Sequence, residues 1–433
     1  MKSLPNSCLN IIPRFLRKFS IVHLFCNQRP MSPAHPLLLF IWMVLLGFPH
    51  MLGADPGGKV PEVTMEKLSD TDWQGLQKEL ADGIDWRLKV LGYGLVQQPV
   101  NSPLNPENIW EIPRYQVELD LRPDLNLKFR SLELSVKPRL RCTWQQWQDG
   151  IRKGDSDGHA DLFVNEWWAR FMLKEDLFVS YGRENLQWGP SFLTSPSNPF
   201  NRDNGKENPK IEVPGLDYAR MVWMPAQNLS ASFIANIDPG EKLFYRPFNR
   251  SYAFKLDYTG HEKYFSLIPS YSESDDFRLG FFGGLTATDA LLLYGEGHLN
   301  DRGEIQILVG ESYTLRAGPT ISLEYYYNQG GCTASIENCF PPYGDSSPDD
   351  VLIRRNYLML QVMDNHIHDK LNVILRWIYD IDDTSNRTVA ILEYELGDHV
   401  KIFAVGNLYL GDKDTEFGSL MDYSLFLGAE YNF

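Results

Sequence analysis

Tyr423-Ser-Leu-Phe-Leu-Gly-Ala-Glu-Tyr-Asn-Phe433 alternates to the last residue of the chain. Tyr423, Leu425, Leu427, Ala429, Tyr431 and Phe433 share one face of an extended strand, while Ser424, Gly428, Glu430 and Asn432 take most of the other. Aromatic side chains stand at both ends of the apolar face, with aliphatic ones between them. A strand in a lipid bilayer asks for this arrangement: an apolar band, aromatic girdles at both interfaces and polar residues toward a wet lumen. The edge strand of a soluble sandwich also alternates, so the remaining chain has to decide.

Segments of period two recur backwards from this strand, separated by turn residues. They cover 398–410, 386–396, 369–381, 352–363, 319–329, 304–316, 289–300, 275–286, 262–272, 250–259, 229–237, 217–225, 176–184, 161–172, 131–145 and 112–121. In one of them Leu371, Val373, Leu375, Trp377, Tyr379 and Ile381 alternate with Asn372, Arg376 and Asp380. Their connections supply an independent test. If the last strand ends on the periplasmic side, the long stretches 184–216 and 330–351 fall outside, and short turns such as 397–398, 317–318 and 260–261 fall inside. Membrane barrels have this parity and sandwiches do not. The count reaches seventeen, which leaves the first strand pointing the wrong way. A strand near Gly92–Val100 would make eighteen; dropping 112–121 would make sixteen.

Upstream, Ser69–Leu91 reads as an amphipathic helix with Ser69, Asp70 and Thr71 as caps and Trp73, Leu76, Leu80, Ile84 and Leu88 as its stripe. Further upstream, residues 1–54 hold no acid, and Leu37–Phe48 is an apolar run followed by Leu52-Gly-Ala54, the pattern of a cleaved signal. The length of the stretch before that run points to Met31 as the true start. Five of the 41 Lys and Arg residues and none of the 56 Asp and Glu lie in 1–54, so the remainder carries a net charge of −20. That balance argues against nucleic acid as a partner. No second long apolar run follows, which excludes a helical membrane protein. Cys332 and Cys339 bracket a short turn-rich loop, and a local disulfide is expected there in an exported chain.

The expected fold is therefore all-β: a transmembrane antiparallel β-barrel of about 18 strands, with 16 as the alternative, preceded by a short periplasmic helix. The expected parts are 1–54 as targeting segment, 55–111 as periplasmic helix and linker, and 112–433 as barrel. Its inward phase collects Lys255, Asp257, Arg278, Glu324, Arg376, Asp380, Glu393 and Glu395, either as a transverse field across a pore or as mutually satisfied pairs. No catalytic site, cofactor or metal is expected. His366-Ile-His368 has no third ligand nearby, and nucleophile elbows and phosphate loops are absent from the sequence.

The most distinctive stretch is Gly182-Arg-Glu-Asn-Leu-Gln-Trp-Gly-Pro-Ser-Phe-Leu-Thr-Ser-Pro-Ser-Asn-Pro-Phe200. It resembles a segment of the capsule-assembly outer-membrane family, and similar segments occur in porin-like proteins. The terminal Phe433 likewise resembles the signal that barrel assembly machinery reads. These resemblances imply the bacterial outer membrane, with its lipid and that machinery as partners. Two functions follow as expectations: a porin-like channel for small polar solutes, or attachment of surface polysaccharide by outer loops. For the second, Trp188, Phe192 and Phe200 would stack on sugar rings while Asn185, Gln187 and Asn198 bond hydroxyls. Physically the same residues also suit a loop pinned against the wall to narrow the pore.

Overall fold

A strand facing hydrocarbon must find backbone partners on both edges, because lipid supplies none. The chain meets this demand by closure. The computed structural model describes residues 70–206, 208–240, 248–273, 276–340 and 352–433, and in it eighteen antiparallel strands form a single closed sheet. The expected targeting segment 1–54, with the start expected at Met31, lies outside the described residues.

A helix α1 (Asp70–Asp82) leads into β1 (Ile84–Pro99), β2 (Tyr115–Phe129), β3 (Leu132–Gln146), β4 (Ser156–Lys174), β5 (Leu177–Glu184) and β6 (Leu216–Ala226). Then follow β7 (Leu229–Asp238), β8 (Ser251–Gly260), β9 (Lys263–Ser272), β10 (Asp276–Thr288), β11 (Leu291–Asn300) and β12 (Ile305–Thr314). The last six are β13 (Thr320–Asn328), β14 (Asn356–Ile367), β15 (Leu371–Asp380), β16 (Asn386–Glu395), β17 (Val400–Leu410) and β18 (Met421–Asn432). Each pairs with its sequence neighbours, and β1 closes the ring against β18, with Gly92 opposite Ala429.

The connections sort as alternation requires. One rim carries only short turns, at 130–131, 175–176, 227–228, 261–262, 289–290, 315–319, 368–370 and 396–399. The other carries the long connections 100–114, 185–215, 239–250, 329–355 and 411–420.

Two expectations are corrected at the N-terminal side. The helix does not run to residue 91; it stops at Asp82, and Ile84 and Leu88 belong to β1 rather than to a helical stripe. Trp86, Leu88 and Val90 also alternate with Asp85, Arg87 and Lys89. This second period prevails because both edges of β1 are needed to close the sheet. The junction is tight: the Gly83 carbonyl accepts the Lys128 N–H at 2.9 Å, and a Cβ on Gly83 would lie 2.1 Å from the Lys128 carbonyl oxygen. The barrel therefore begins at Ile84, not 112, and the strand expected over 112–121 runs from Tyr115 to Phe129.

The outer face is apolar around the ring. Leu162, Leu427, Leu375, Val309 and Leu293 are exposed on it. Exposed aromatics gather at two heights: Phe171, Tyr258, Phe265, Tyr313, Tyr394 and Tyr431 toward the short turns, and Trp144, Tyr271, Phe277 and Tyr325 toward the long loops. An apolar band between aromatic girdles is the pattern that a lipid-facing surface requires.

Leu427 sits midway along β18 and Tyr431 near its interfacial end. Leu427→Arg is expected to lower folding stability by about 2–4 kcal/mol, and Tyr431→Arg by about 0–1 kcal/mol. Denaturant titration of the refolded barrel in lipid measures both; equal costs at the two depths would contradict a spanning β18.

Candidate functional site

The lumen is not empty. The connection 185–215 between β5 and β6 turns into it, and Ser191, Thr194, Ser195, Ser197 and Asn198 are almost wholly buried there. Its sequence explains why it is neither strand nor helix. Pro190, Pro196, Pro199, Pro209 and Pro214 interrupt both, and short polar side chains bond the local backbone instead. Asn198 accepts from the N–H groups of Phe200 (3.0 Å) and Asn201 (3.3 Å) and donates to the Leu186 carbonyl (2.9 Å). Asp203, Asn204 and Asn208 each accept the N–H two residues on.

Two wall carboxylates seize the first lobe of this loop. Glu296 on β11 accepts from the hydroxyls of Ser191, Ser195 (3.0 Å) and Ser197 (2.7 Å), and from the Ser191 N–H (3.2 Å). Glu324 on β13 accepts from the N–H groups of Phe192 (2.7 Å) and Leu193 (3.0 Å) and from the Tyr294 hydroxyl (2.8 Å). Both carboxylates are fully buried. Burial of an ionised carboxylate costs several kcal/mol, and only such a set of convergent donors offsets it. Gly189 is required here. Its φ is +91°, and a Cβ would lie 2.5 Å from a Glu296 oxygen. On the other flank, the Arg278 guanidinium donates to the Pro196 carbonyl, and His298 Nδ1 lies 2.8 Å from the same oxygen.

The second lobe is held from the opposite arc of the wall. Lys206 donates to the carbonyls of Gly189, Pro190 and Ser191, while its own carbonyl accepts from Arg376 on β15 at 3.1 Å. Burial lowers the Lys206 ammonium pKa, and the nearby charges of Glu296 and Glu324 partly restore it. Lys210 pairs with Glu393 of β16 (2.7 Å) and Glu430 of β18 (3.2 Å), and Arg122 of β2 donates to its carbonyl. Arg139 of β3 grips Glu212 through two nitrogens, at 2.7 and 2.9 Å. Burial tends to raise the Glu212 pKa, but the Arg139 bonds and the Arg122 charge outweigh it and hold the carboxyl low. An apolar seat completes the fit: Phe200 and Trp188 pack with Tyr218, Ile268 and Phe282. The loop thus reaches strands on every side of the barrel.

The eight inward charges read from the sequence divide among several tasks. Glu324, Arg278, Arg376 and Glu393 bind the loop, as above. Lys255 pairs with Asp257 and lies over the Trp188 and Phe282 rings, and Glu395 pairs with Lys401 at 2.8 Å. Asp380 lies at the long-loop rim, 3.9 Å from Arg354. Of the candidate sugar-binding residues, Phe200 and Asn198 are inside the loop's own fold, Phe192 packs beneath Lys206, and Trp188 is half-buried. Asn185 is half-buried, and Gln187 is exposed with its amide 3.4 Å from the Asp203 carbonyl. Sequence reasoning passed over Glu296, His298, Lys206, Lys210, Glu212, Arg122 and Arg139. For Glu296 a signal existed: a lone acid between two glycines, in phase with Tyr294 and His298.

A second junction ties the long loops together. Cys332 and Cys339 are joined by a disulfide, and Arg354 donates to the carbonyls of Cys332 and Ala334. Arg354 also pairs with Asp383 (3.2 Å) and, more distantly, Asp380. Glu416, from 411–420, accepts from the Tyr357 hydroxyl and the Ile353 N–H, and its own N–H donates to Asp383 at 2.7 Å. Burial pushes the Glu416 carboxyl up to about 7, against the Tyr357 and Ile353 bonds and the Arg354 charge. Asp383 is held low despite burial, by Ser385 and backbone N–H groups.

No family model matches the chain, and no curated protein matches it in sequence. In structure it is similar to Pseudomonas aeruginosa OccK11 (OpdR), at 14% identity, 82% of this chain and 96% of that one covered, and a TM-score of 0.55. Pseudomonas aeruginosa OccK5 (OpdH) is similar at 9% identity, 81% and 99% coverage and a TM-score of 0.50. A Rhodopseudomonas blastica porin aligns with 81% of this chain and 100% of its own, at 13% identity and a TM-score of 0.39. The first two likenesses show the fold, a closed antiparallel β-barrel.

Two outcomes follow. Glu324→Gln removes the charge from three hydrogen bonds, each worth about 1.5–3 kcal/mol to a charged acceptor against about 1 to a neutral one. The variant should keep the heat shift of a folded barrel yet admit protease at Arg202 and Lys206. An acid whose folded pKa exceeds its free value binds protons more tightly when folded. The contribution of Glu416 to the rim junction should therefore be fully present below about pH 4.5 and be lost as the pH climbs to about 7. Hydrogen exchange over 411–420 should accordingly quicken from pH 5 to pH 8 beyond its intrinsic rate, and Glu416→Gln should blunt the change.

Proposed function

We propose that the chain is a passive outer-membrane channel for small polar solutes, its lumen narrowed by its own 185–215 loop. One observation carries the reading: the loop is fixed inside an apolar-walled barrel by charged side chains drawn from opposite arcs of the wall. A purely structural barrel has no need to hold an irregular segment so firmly at its centre, where the desolvation of each carboxylate must be offset. A conduit does, because a fixed constriction sets the size and charge of what passes.

Lipid is the partner proposed for the apolar outer band. Barrel assembly machinery is proposed to read Phe433, which is exposed at the short-turn rim with its N–H donated to the Leu88 carbonyl. Attachment of surface polysaccharide, the finer reading carried by the resemblance to the capsule-assembly family, ranks second. Asn198 spends its amide on Leu186, Phe200 and Asn201, and Phe200 is buried, so the residues proposed to hold sugar are largely committed to the loop.

Purified protein in a planar bilayer is expected to give discrete conductance steps, and Glu324→Gln to give larger or noisier ones. Silence from both wild type and Glu324→Gln would remove the channel reading. Retention of the organism's own exopolysaccharide, lost in Trp188→Ala, would promote the second.

A further inference from the structure

The lumen wall is unevenly wetted. Four inward charges on β11 to β15 are sealed: Glu296, Glu324, Arg376 and Asp380 are 0–3% exposed. On β3 and β4, by contrast, Arg141, Asp161, Lys137, Glu166, Glu133 and Arg170 expose between 17 and 46% of their side chains. These residues face inward, since their cross-strand neighbours Leu140 and Leu162, Val136 and Trp167, and Leu134 and Ala169 take the opposite, lipid-facing phase. Water therefore reaches this arc of the wall on both sides of Arg139, which is itself sealed against Glu212 of the loop.

Resting on the channel reading above, we propose that solutes pass along β3 and β4, and that this lane favours small zwitterions over anions or cations of the same size. The lane is built of pairs. Arg141 lies opposite Asp161 and bonds Asp120 at 3.1 Å and Glu118 at 3.3 Å; Lys137 pairs with Glu166 at 2.9 Å, and Glu133 with Arg170 at 3.2 Å. Successive pairs lie four residues apart, about 13 Å along the strand. The cation is on β3 in the first two pairs and on β4 in the third. No accessible cation in the lane lacks a carboxylate partner, so a lone anion gains a guanidinium only by stranding an acid. A solute carrying both charges can take the place of each partner at once, exchanging one ion pair for two. Aromatic rings back the ends of the lane: Arg141 lies over Phe163 at 5.3 Å, and Arg170 over Trp168 at 4.6 Å and Phe178 at 4.8 Å. They hold the guanidinium planes in place while a partner is exchanged.

The test separates the lane from the channel itself. In a Cys142→Ser background, which removes the free lipid-facing thiol, Glu166→Cys, Arg170→Cys and Asn407→Cys are each placed in planar bilayers. A charged methanethiosulfonate reagent is then added. Conductance should fall stepwise for the first two and stay constant for Asn407→Cys, an inward but buried position on β17. Conductance without block at either lane position, or with equal block at residue 407, overturns the lane while leaving the channel intact. An unconductive wild type overturns the channel reading itself. Proteoliposome swelling then compares glycine with acetate and with ethylammonium. Wild type should admit glycine several-fold faster than either, and Lys137→Gln/Glu166→Gln should erase that margin. A wild type that admits acetate fastest overturns the zwitterion preference.

Discussion

Everything in this molecule depends on the backbone's need for partners where lipid provides none. The requirement explains why Ile84–Pro99 is drawn from a helical pattern into the wall, and why that strand is bonded along both edges. Once the wall is closed, the outside follows the solvent it is suited to: apolar side chains are exposed around it, with aromatic ones at two heights, as a surface for lipid requires. The inside is not settled by the same rule. A ring of eighteen strands encloses more space than its inward side chains fill.

The chain resolves this with polar chemistry rather than a hydrocarbon core. Glu296 and Glu324 stand where most proteins would place leucine, and each is compensated by donors from one short stretch of loop. The compensation is reciprocal. The Ser197 hydroxyl would be orphaned without Glu296, and the Phe192 and Leu193 N–H groups would be orphaned without Glu324. The loop and the wall are consequently one unit, although the bonded residues lie between 73 and 220 positions apart in sequence.

The barrel was largely legible in the sequence because its signals are local. Alternation such as that of Leu371–Ile381 and the parity of the connections require no knowledge of distant contacts, and the strand near Gly92–Val100 was demanded by direction alone. The N-terminal boundary misled because Ile84 and Leu88 satisfy a helical stripe and a strand face together, and only pairing with β2, continued from Lys89 by pairing with β18, decides between them. The site was less legible. Glu324, Arg376 and Glu393 could be placed on the inner face by phase, but that face says nothing of what they touch. Lys206, Lys210 and Glu212 sit in a segment without period, where sequence offers no phase to read. Trp188-Gly-Pro190 was recognised as unusual; that its glycine makes room for a carboxylate on β11 is a fact of three dimensions.

The loop's anchorage has a mechanical consequence. Its attachments run from β10, β11 and β13 through β15, β16 and β18 to β2 and β3, like spokes set between a hub and a rim. Flattening the ring into an ellipse would stretch the ion pairs along one diameter and crowd them along the other. An unbraced cylinder of this width can yield to lateral pressure in the surrounding bilayer at little cost. This one resists through bonds that lie in its own cross-section, so its bore is insulated from the changing tension of the membrane around it.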